Sequence, residues 1–208
     1  MAPNNAANNA PGQSKRGGNR SLKKINGTVR GAMAKFSSKR VRLMFQDEAG
    51  FGRINKPKYC WCYPGHRPNV PCRHIREYRY AYGAVEPLTG ESFFLIMPYC
   101  NTDCMNLFLR ELSKTYLHDW IILVCDGASW HKAKALEIPP NIQLLFLPPA
   151  TPEMNPIEQI WKELRKSFKN EIFHTLEKVM DRLCISIRSL TCSVVHSITA
   201  RKWIIECF

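Results

Sequence analysis

The chain has 208 residues, 30 Lys+Arg against 17 Asp+Glu, and a formal net charge of +13. Hydrophobic residues at 45% and charged residues at 23% are ordinary for a globular protein, which excludes collagen-like, coiled-coil and wholly disordered chains. The longest apolar runs, Phe93–Met97 and Ile121–Cys125, fall far short of the roughly 20 residues of a membrane span, and no apolar leader opens the chain. Nine cysteines at irregular spacing then read as free thiols in a reducing compartment, so the expectation is a cytoplasmic, nucleoid-associated protein that faces a polyanion and no membrane.

Residues 1–40 hold nine basic side chains and no acid, and are rich in Asn, Gly, Ala and Ser. That composition predicts a disordered basic tail ahead of one folded unit, 41–208. From Val41 the texture turns to short β-rich runs: 41–46, 58–63, 78–86 and 91–98, the last two joined by the turn Pro87-Leu88-Thr89-Gly90. Asn101 or Thr102 can cap a helix whose apolar positions Met105, Phe108, Leu109, Leu112 and Tyr116 keep a 3.6-residue period. Strands at 120–125 and 142–147 follow. Asn155-Pro156 then supplies a capping residue and a proline for the start of a helix with the stripe Ile157, Ile160, Trp161, Leu164 and Phe168. Residues 174–207 read as one or two more amphipathic helices. Antiparallel strands, a helix, a strand, a short crossover, a strand and then helices make an α/β fold with a mixed sheet.

Three acids occupy unusual positions in that order. Asp47 directly follows the first apolar strand and Asp126 directly follows the strand 120–125, and ligands of open α/β sheets gather at the carboxyl ends of strands. Because neighbours on a strand face opposite sides, only one of Asp47 and Glu48 can join Asp126. Glu158 stands beside the apolar stripe of its helix, where it either caps the helix or reaches the same rim. Carboxylates crowded together repel unless a cation compensates. Magnesium or manganese, each held by one or two carboxylates, is the hard-cation answer, and a pair of such ions suits in-line displacement at phosphorus.

The stretch Leu147-Pro148-Pro149-Ala150-Thr151-Pro152-Glu153-Met154-Asn155-Pro156-Ile157-Glu158-Gln159-Ile160-Trp161 resembles the Pro-x-x-Asn-Pro-Ile-Glu-x-x-Trp signature of the DDE transposases, in their mariner-like insertion-sequence group. Phe45-Gln46-Asp47-Glu48-Ala49-Gly50-Phe51 is similar to that family's first-aspartate segment, and Val124-Cys125-Asp126-Gly127-Ala128-Ser129-Trp130-His131 to its second, usually Asp-Asn-Ala-x-x-His. Trp61, Gly65 and Pro68 are similar to its Trp, Gly and Pro hairpin. The resemblance covers about residues 41–170.

It implies an RNase H-like fold, a mixed central β-sheet flanked by helices. It implies a metal-dependent DNA endonuclease and polynucleotidyl transferase that cleaves phosphodiester bonds at transposon ends and joins the 3′-hydroxyl to target DNA. Asp47, Asp126 and Glu158 are then the catalytic and metal-binding residues for two Mg2+ or Mn2+ ions, with Asp47 shared between them. The implied partners are transposon-end and target DNA and a second copy of the chain in the DNA complex. Two departures stand out. Gly127 occupies the position where the family usually has Asn, and the helix-turn-helix region expected ahead of the catalytic domain is replaced by the basic tail. The expectation is therefore a catalytic half whose DNA-binding half is encoded separately, or a decayed copy. A catalytically inactive, truncated remnant that only binds DNA or a partner subunit is the alternative function.

Other residues carry weaker signals. His131 reads as a phosphate contact or as a donor beside the metals. Residues 53–80 hold seven basic side chains against one acid, Glu77, interleaved with aromatics, and from them Arg53, Lys58 and Arg67 are expected to bind DNA. Cys60, Cys62, Cys72 and His74 carry the donor types of a zinc site, but Cys-x-Cys lacks the spacing of the usual knuckle, and buried free thiols are the simpler reading.

Overall fold

A computed structural model describes residues 11–54, 61–66, 69, 74–149 and 151–208, with the backbone alone at 11–22. Five strands, β1 (Val41–Gly52), β2 (Tyr78–Val85), β3 (Ser92–Met97), β4 (Trp120–Cys125) and β5 (Ile142–Phe146), form one sheet in the order β3-β2-β1-β4-β5. The β1–β2 and β2–β3 pairs are antiparallel, and β1–β4 and β4–β5 are parallel. This is the mixed sheet expected from the element order. The expected strand 58–63 falls largely outside the described residues, and 61–63 lie in no strand.

Alternation along the strands divides the core in two. Leu43, Phe45, Ala49 and Phe51 of β1 join one buried cluster, and Met44 joins the other. The second face is covered by α2 (Thr102–Thr115), whose Met105, Phe108, Leu109 and Leu112 are fully buried. Asn101 caps it, its side chain accepting from the Cys104 N–H at 2.9 Å. The first face is covered by α1 (Pro11–Lys35), α3 (Ile157–Leu164), α4 (Leu176–Arg188), α5 (Cys192–Thr199) and α6 (Lys202–Ile205).

Over the described residues 11–40, helix α1 departs from the expectation of a disordered tail at 1–40. Ile25, Val29 and Ala32, spaced by four and three residues, form a buried ridge in the first core cluster, and Phe36 stacks on Trp120 with ring centroids 3.9 Å apart. Apolar residues this sparse are too few to register as a helical period in a basic, Asn- and Gly-rich stretch, yet they suffice once a surface is available to bury them. The carboxyl-terminal part divides into three helices rather than one or two. Thr191 restarts the chain as α5 by accepting from the Val194 N–H, and Arg201 in extended conformation precedes α6.

The turn between β2 and β3 needs its glycine. Gly90 has φ +76°, and a Cβ there would lie 1.9 Å from the Cys192 carbonyl oxygen. At that same end of the sheet the buried Arg42 guanidinium donates to Glu86 and Glu91, both at 2.6 Å, and to Asp119, and lies over the Tyr116 ring. This network joins β1, the β2–β3 turn and the α2–β4 connection, leaving the opposite end of the sheet to open.

Candidate active site

Strand β1 is twice the length of β4. Their pairing runs from Val41↔Trp120 to Phe45↔Val124, whereas β1 stays paired with β2 as far as Gly52↔Tyr78. Beyond Phe45 the two parallel strands part, and Asp47 and Asp126 stand two residues past the last pair, each on the strand-face parity of the first core cluster. Helix α3 packs across the gap. The result is a cleft of about 340 Å3 lined by Asp47, Asp126 and Glu158 together with Lys132, Asn155 and the Leu147–Pro149 segment. All three sequence-predicted acids thus meet in one cleft, from positions far apart in the chain.

Strand alternation separates Asp47 from Glu48. Asp47 faces α3, where its Oδ2 accepts from Trp161 Nε1 at 2.9 Å. Trp161 reaches it because Gly83, the β2 partner of Asp47, has no side chain: a Cβ there would lie 2.6 Å from Phe94, 2.8 Å from Trp161 and 2.9 Å from Ile157. Glu48 faces the other way and is buried, its Oε1 accepting from Gln46 Nε2 at 3.0 Å and facing His131 Nε2 at 2.9 Å. His131 Nδ1 in turn stands 2.8 Å from Asp126 Oδ1 and 3.3 Å from the Asp126 carbonyl oxygen. The Ala128 N–H also donates to Asp126 Oδ1, at 3.0 Å. A buried imidazole therefore links the second acid of Asp47-Glu48 to Asp126.

The electrostatics follow from burial. Burial pushes the Asp47 carboxyl up to about 7; the Trp161 N–H works against this, and the charges of Glu48 and Glu158 add to it. Burial alone would lower the His131 pKa, but the hydrogen bond and charge of Glu48, with the charge of Asp126, outweigh it and raise the ring above its ordinary value. Both shifts mark the cleft as a place where negative charge is concentrated and incompletely compensated.

The helix start differs from its expected form. Pro156 occupies the N-cap position of α3, and Asn155 does not cap it. Asn155 Nδ2 donates instead to the Gln46 carbonyl at 3.0 Å, filling the backbone position that opens where β4 leaves β1. No side-chain cap hydrogen bond is made at this helix start, so the capping reading of Glu158 finds no support in its contacts.

Two of the expected DNA contacts are engaged by partners within the fold. His131 is 1% exposed and enclosed between Glu48 and Asp126, with both ring nitrogens engaged by them. Arg53 has a side chain only 12% exposed, with Nη1 donating to Glu77 at 2.6 Å and Nε to the Phe173 carbonyl at 3.2 Å, which ties it into the fold. Lys58 and Arg67 lie outside the described residues, as do Cys60 and Cys72 of the zinc reading. Trp61 and Tyr63 are fully and largely exposed. Sequence reasoning missed Lys132 in the cleft and the roles of Trp161 and Asn155; the last two sat inside the recognised motif but were read as stripe and cap.

Donor chemistry bears on whether the cleft suits magnesium or manganese. The cleft offers carboxylate oxygens and, in Asn155 Oδ1, a buried oxygen with no hydrogen-bond partner. This all-oxygen set fits a hard divalent cation and not zinc. As the side chains stand, no three His, Cys, Asp or Glu groups among the described residues are close enough to hold one ion together. No helix among the described residues is long and apolar enough to cross a membrane.

Comparison with known proteins agrees with this architecture. The family model described as DDE superfamily endonuclease matches residues 42–180. An uncharacterized protein of Sinorhizobium fredii, y4pE/y4sA, is 35% identical over 129 residues, which are 60% of this chain and 95% of that protein. Among solved structures, a Mos1 mariner paired-end complex with Mn superposes with a TM-score of 0.62 at 14% identity, covering 100% of this chain and 64% of that one. The Mos1 transposase paired-end complex with left transposon end gives 0.59 at 14% identity, with 99% and 65% covered. The chain thus spans just under two thirds of the Mos1 chains it matches, and its fold is RNase H-like.

Proposed function

The chain belongs to the DDE superfamily endonucleases, and from that membership we propose that it is the catalytic domain of a DNA transposase. It cleaves phosphodiester bonds at transposon ends and joins the 3′-hydroxyl to target DNA, using Asp47, Asp126 and Glu158 to hold divalent ions. The observation that carries this reading is the shared cleft of those three acids, at the point where β1 and β4 part. Neighbours solved with transposon ends and with Mn or Mg support the choice of DNA and of these cations.

Two bound divalent ions would polarise the phosphodiester and activate the attacking oxygen. The chain's own residues do the positioning. Trp161 holds one oxygen of Asp47 and thereby fixes the carboxylate's rotation. His131, itself oriented by Glu48, and the Ala128 N–H hold Oδ1 of Asp126. The net charge of +13 draws the substrate's backbone to a site whose own walls are acidic. Two ends must be brought together, so a homodimer in the DNA complex completes the proposal.

The test is nicking of duplex DNA carrying the element's ends, in magnesium or manganese. Asp126→Asn and Glu158→Gln lose nicking by at least about a hundredfold while keeping the wild-type circular dichroism spectrum, and Mg2+ raises the melting temperature of the wild type but not of Asp126→Asn. Equal nicking by wild type and both variants sinks the reading. Salt-sensitive DNA binding with no cutting in either metal would favour the inactive remnant.

A further inference from the structure

Lys132 is the one cationic side chain among the described residues lining the acid cleft. It ends the short 3₁₀ turn Ser129–Lys132, whose backbone is anchored through the buried His131. Its ammonium lies where a side chain at position 127 would stand: a Cβ on Gly127 would be 2.6 Å from Lys132 Nζ and 3.4 Å from its Cε, with nothing else nearby. On its other side, Nζ sits 5.3 Å from the centroid of the Phe146 ring, at the end of β5. Although three carboxylates line the same cleft, Lys132 makes no ion pair with any of them or with any other described residue.

An ammonium has three donors and no acceptor. Held over an aromatic face and ion-paired with none of the cleft's acids, its donors are left for an incoming anion. Resting on the DNA reading above, we propose that Lys132 is the phosphate-binding side chain of this cleft, contacting a non-bridging oxygen of a backbone phosphate beside the three carboxylates, and that Gly127 is the residue that makes room for it. A side chain at 127 would push the flexible lysine's ammonium out of this position. The glycine that departs from the family's usual Asn is thereby coupled to the lysine five positions later, and the pair sets how the strand enters.

The experiment uses the full chain and end-bearing duplex DNA, with chelator present so that no strand is cut. Affinity is measured across a salt series for the wild type, Lys132→Ala, Lys132→Arg, Gly127→Asn and the double variant Gly127→Asn/Lys132→Ala. Loss of one phosphate contact is expected to weaken binding by roughly 3- to 10-fold and to lower the salt slope by about one. Gly127→Asn should do the same, and the double variant should be no weaker than either single one, because each removes the same contact. Lys132→Arg should recover part of the affinity. A neutral methylphosphonate linkage placed at successive positions should, at one position, weaken the wild type and leave Lys132→Ala unaffected.

Unchanged affinity and slope in Lys132→Ala overturns the inference, as does full additivity of the two substitutions. So does a lowered melting temperature of Lys132→Ala with DNA binding intact, which would make the lysine only a neutraliser of the neighbouring acids. The two proposals fail separately. A wild type that binds end DNA but never nicks it removes the transposase reading and leaves the contact, whereas a nicking wild type matched by an equally tight Lys132→Ala removes the contact alone.

Discussion

Asp47 is held at a cost to the fold. With a carboxyl that titrates near 7 in the folded chain and near 4 when unfolded, the folded state keeps its proton longer. The resulting stability is complete below about pH 4, is lost as pH rises through about 7, and stays lost above it. Asp47→Asn keeps an oxygen for the Trp161 N–H and removes the charge, so in metal-free buffer it should be more stable than wild type by about 2 to 4 kcal/mol at pH 8 and little different at pH 4. Urea unfolding at the two pH values checks this, and the same variant should not nick DNA. His131 acts with the same sign in a higher window. Its raised pKa contributes stability below about 6.5, lost as pH climbs through the folded value. His131→Gln should flatten the upper part of the stability curve and leave the decline between pH 4 and 6 in place.

At the scale of elements, the contact between β2 and α3 sets the position of two acids together. Glu158 rides on α3, and the same helix carries the tryptophan that fixes Asp47, so the depth to which α3 settles on the sheet governs both. Gly83→Ala places a methyl group against Phe94, Trp161 and Ile157, within 2.9 Å of each. Lifting the helix should destabilise the chain by about 1 to 3 kcal/mol. It should also lower nicking more than that loss explains, measured at a temperature where the variant remains folded. A variant as stable and as active as wild type would show that the helix has room to give.

Much of this arrangement was legible in the residues themselves. Strand starts near 41, 78, 120 and 142 are marked by β-rich runs, and Asp126 does follow its strand, but Asp47, expected just past the first strand, lies inside β1, which continues to Gly52 along its pairing with β2. Alternation alone does not choose between Asp47 and Glu48 and only the resemblance favours Asp47; the parity of Phe45 and Phe51 in the first core cluster puts Asp47 on the α3 side of the sheet. Less legible were roles fixed by partners distant in sequence. Nothing local to Arg53 says that Glu77 and the Phe173 carbonyl will claim it, and nothing local to His131 says that Glu48 will enclose it. The glycine at 127 read as a missing amide because the space it leaves is filled from Lys132, a tertiary fact.

For the whole molecule, α1 is part of the folded unit and not an appendage. Ile25 and Val29 are buried in the larger core cluster, and Cys207, near the carboxyl terminus, donates to Asn26 Oδ1 at 2.6 Å. The later turns of α1 and the segment around Cys207 therefore meet over the same face of the sheet. Removal of residues 1–36 should cost at least about 3 kcal/mol, from two large aliphatic side chains and Phe36 leaving the core, and should lower the melting temperature by several degrees. A truncated chain that melts with the full-length one would restore the disordered-tail view. If DNA affinity fell with an intact melting curve, the basic residues of this segment would be acting on the nucleic acid alone.

The parting of β1 from β4 also governs how the molecule breathes. A sheet normally yields from its outer strands inward, but here a seam begins in the middle, bridged by the Asn155 carboxamide and by the His131 ring between Glu48 and Asp126. Amide hydrogens of β1 beyond Phe45 should accordingly exchange with solvent sooner than those of β4, although β1 is the central strand. The most enclosed strand of the protein would then be the one whose far half is readiest to move when a long, stiff polymer is laid across it.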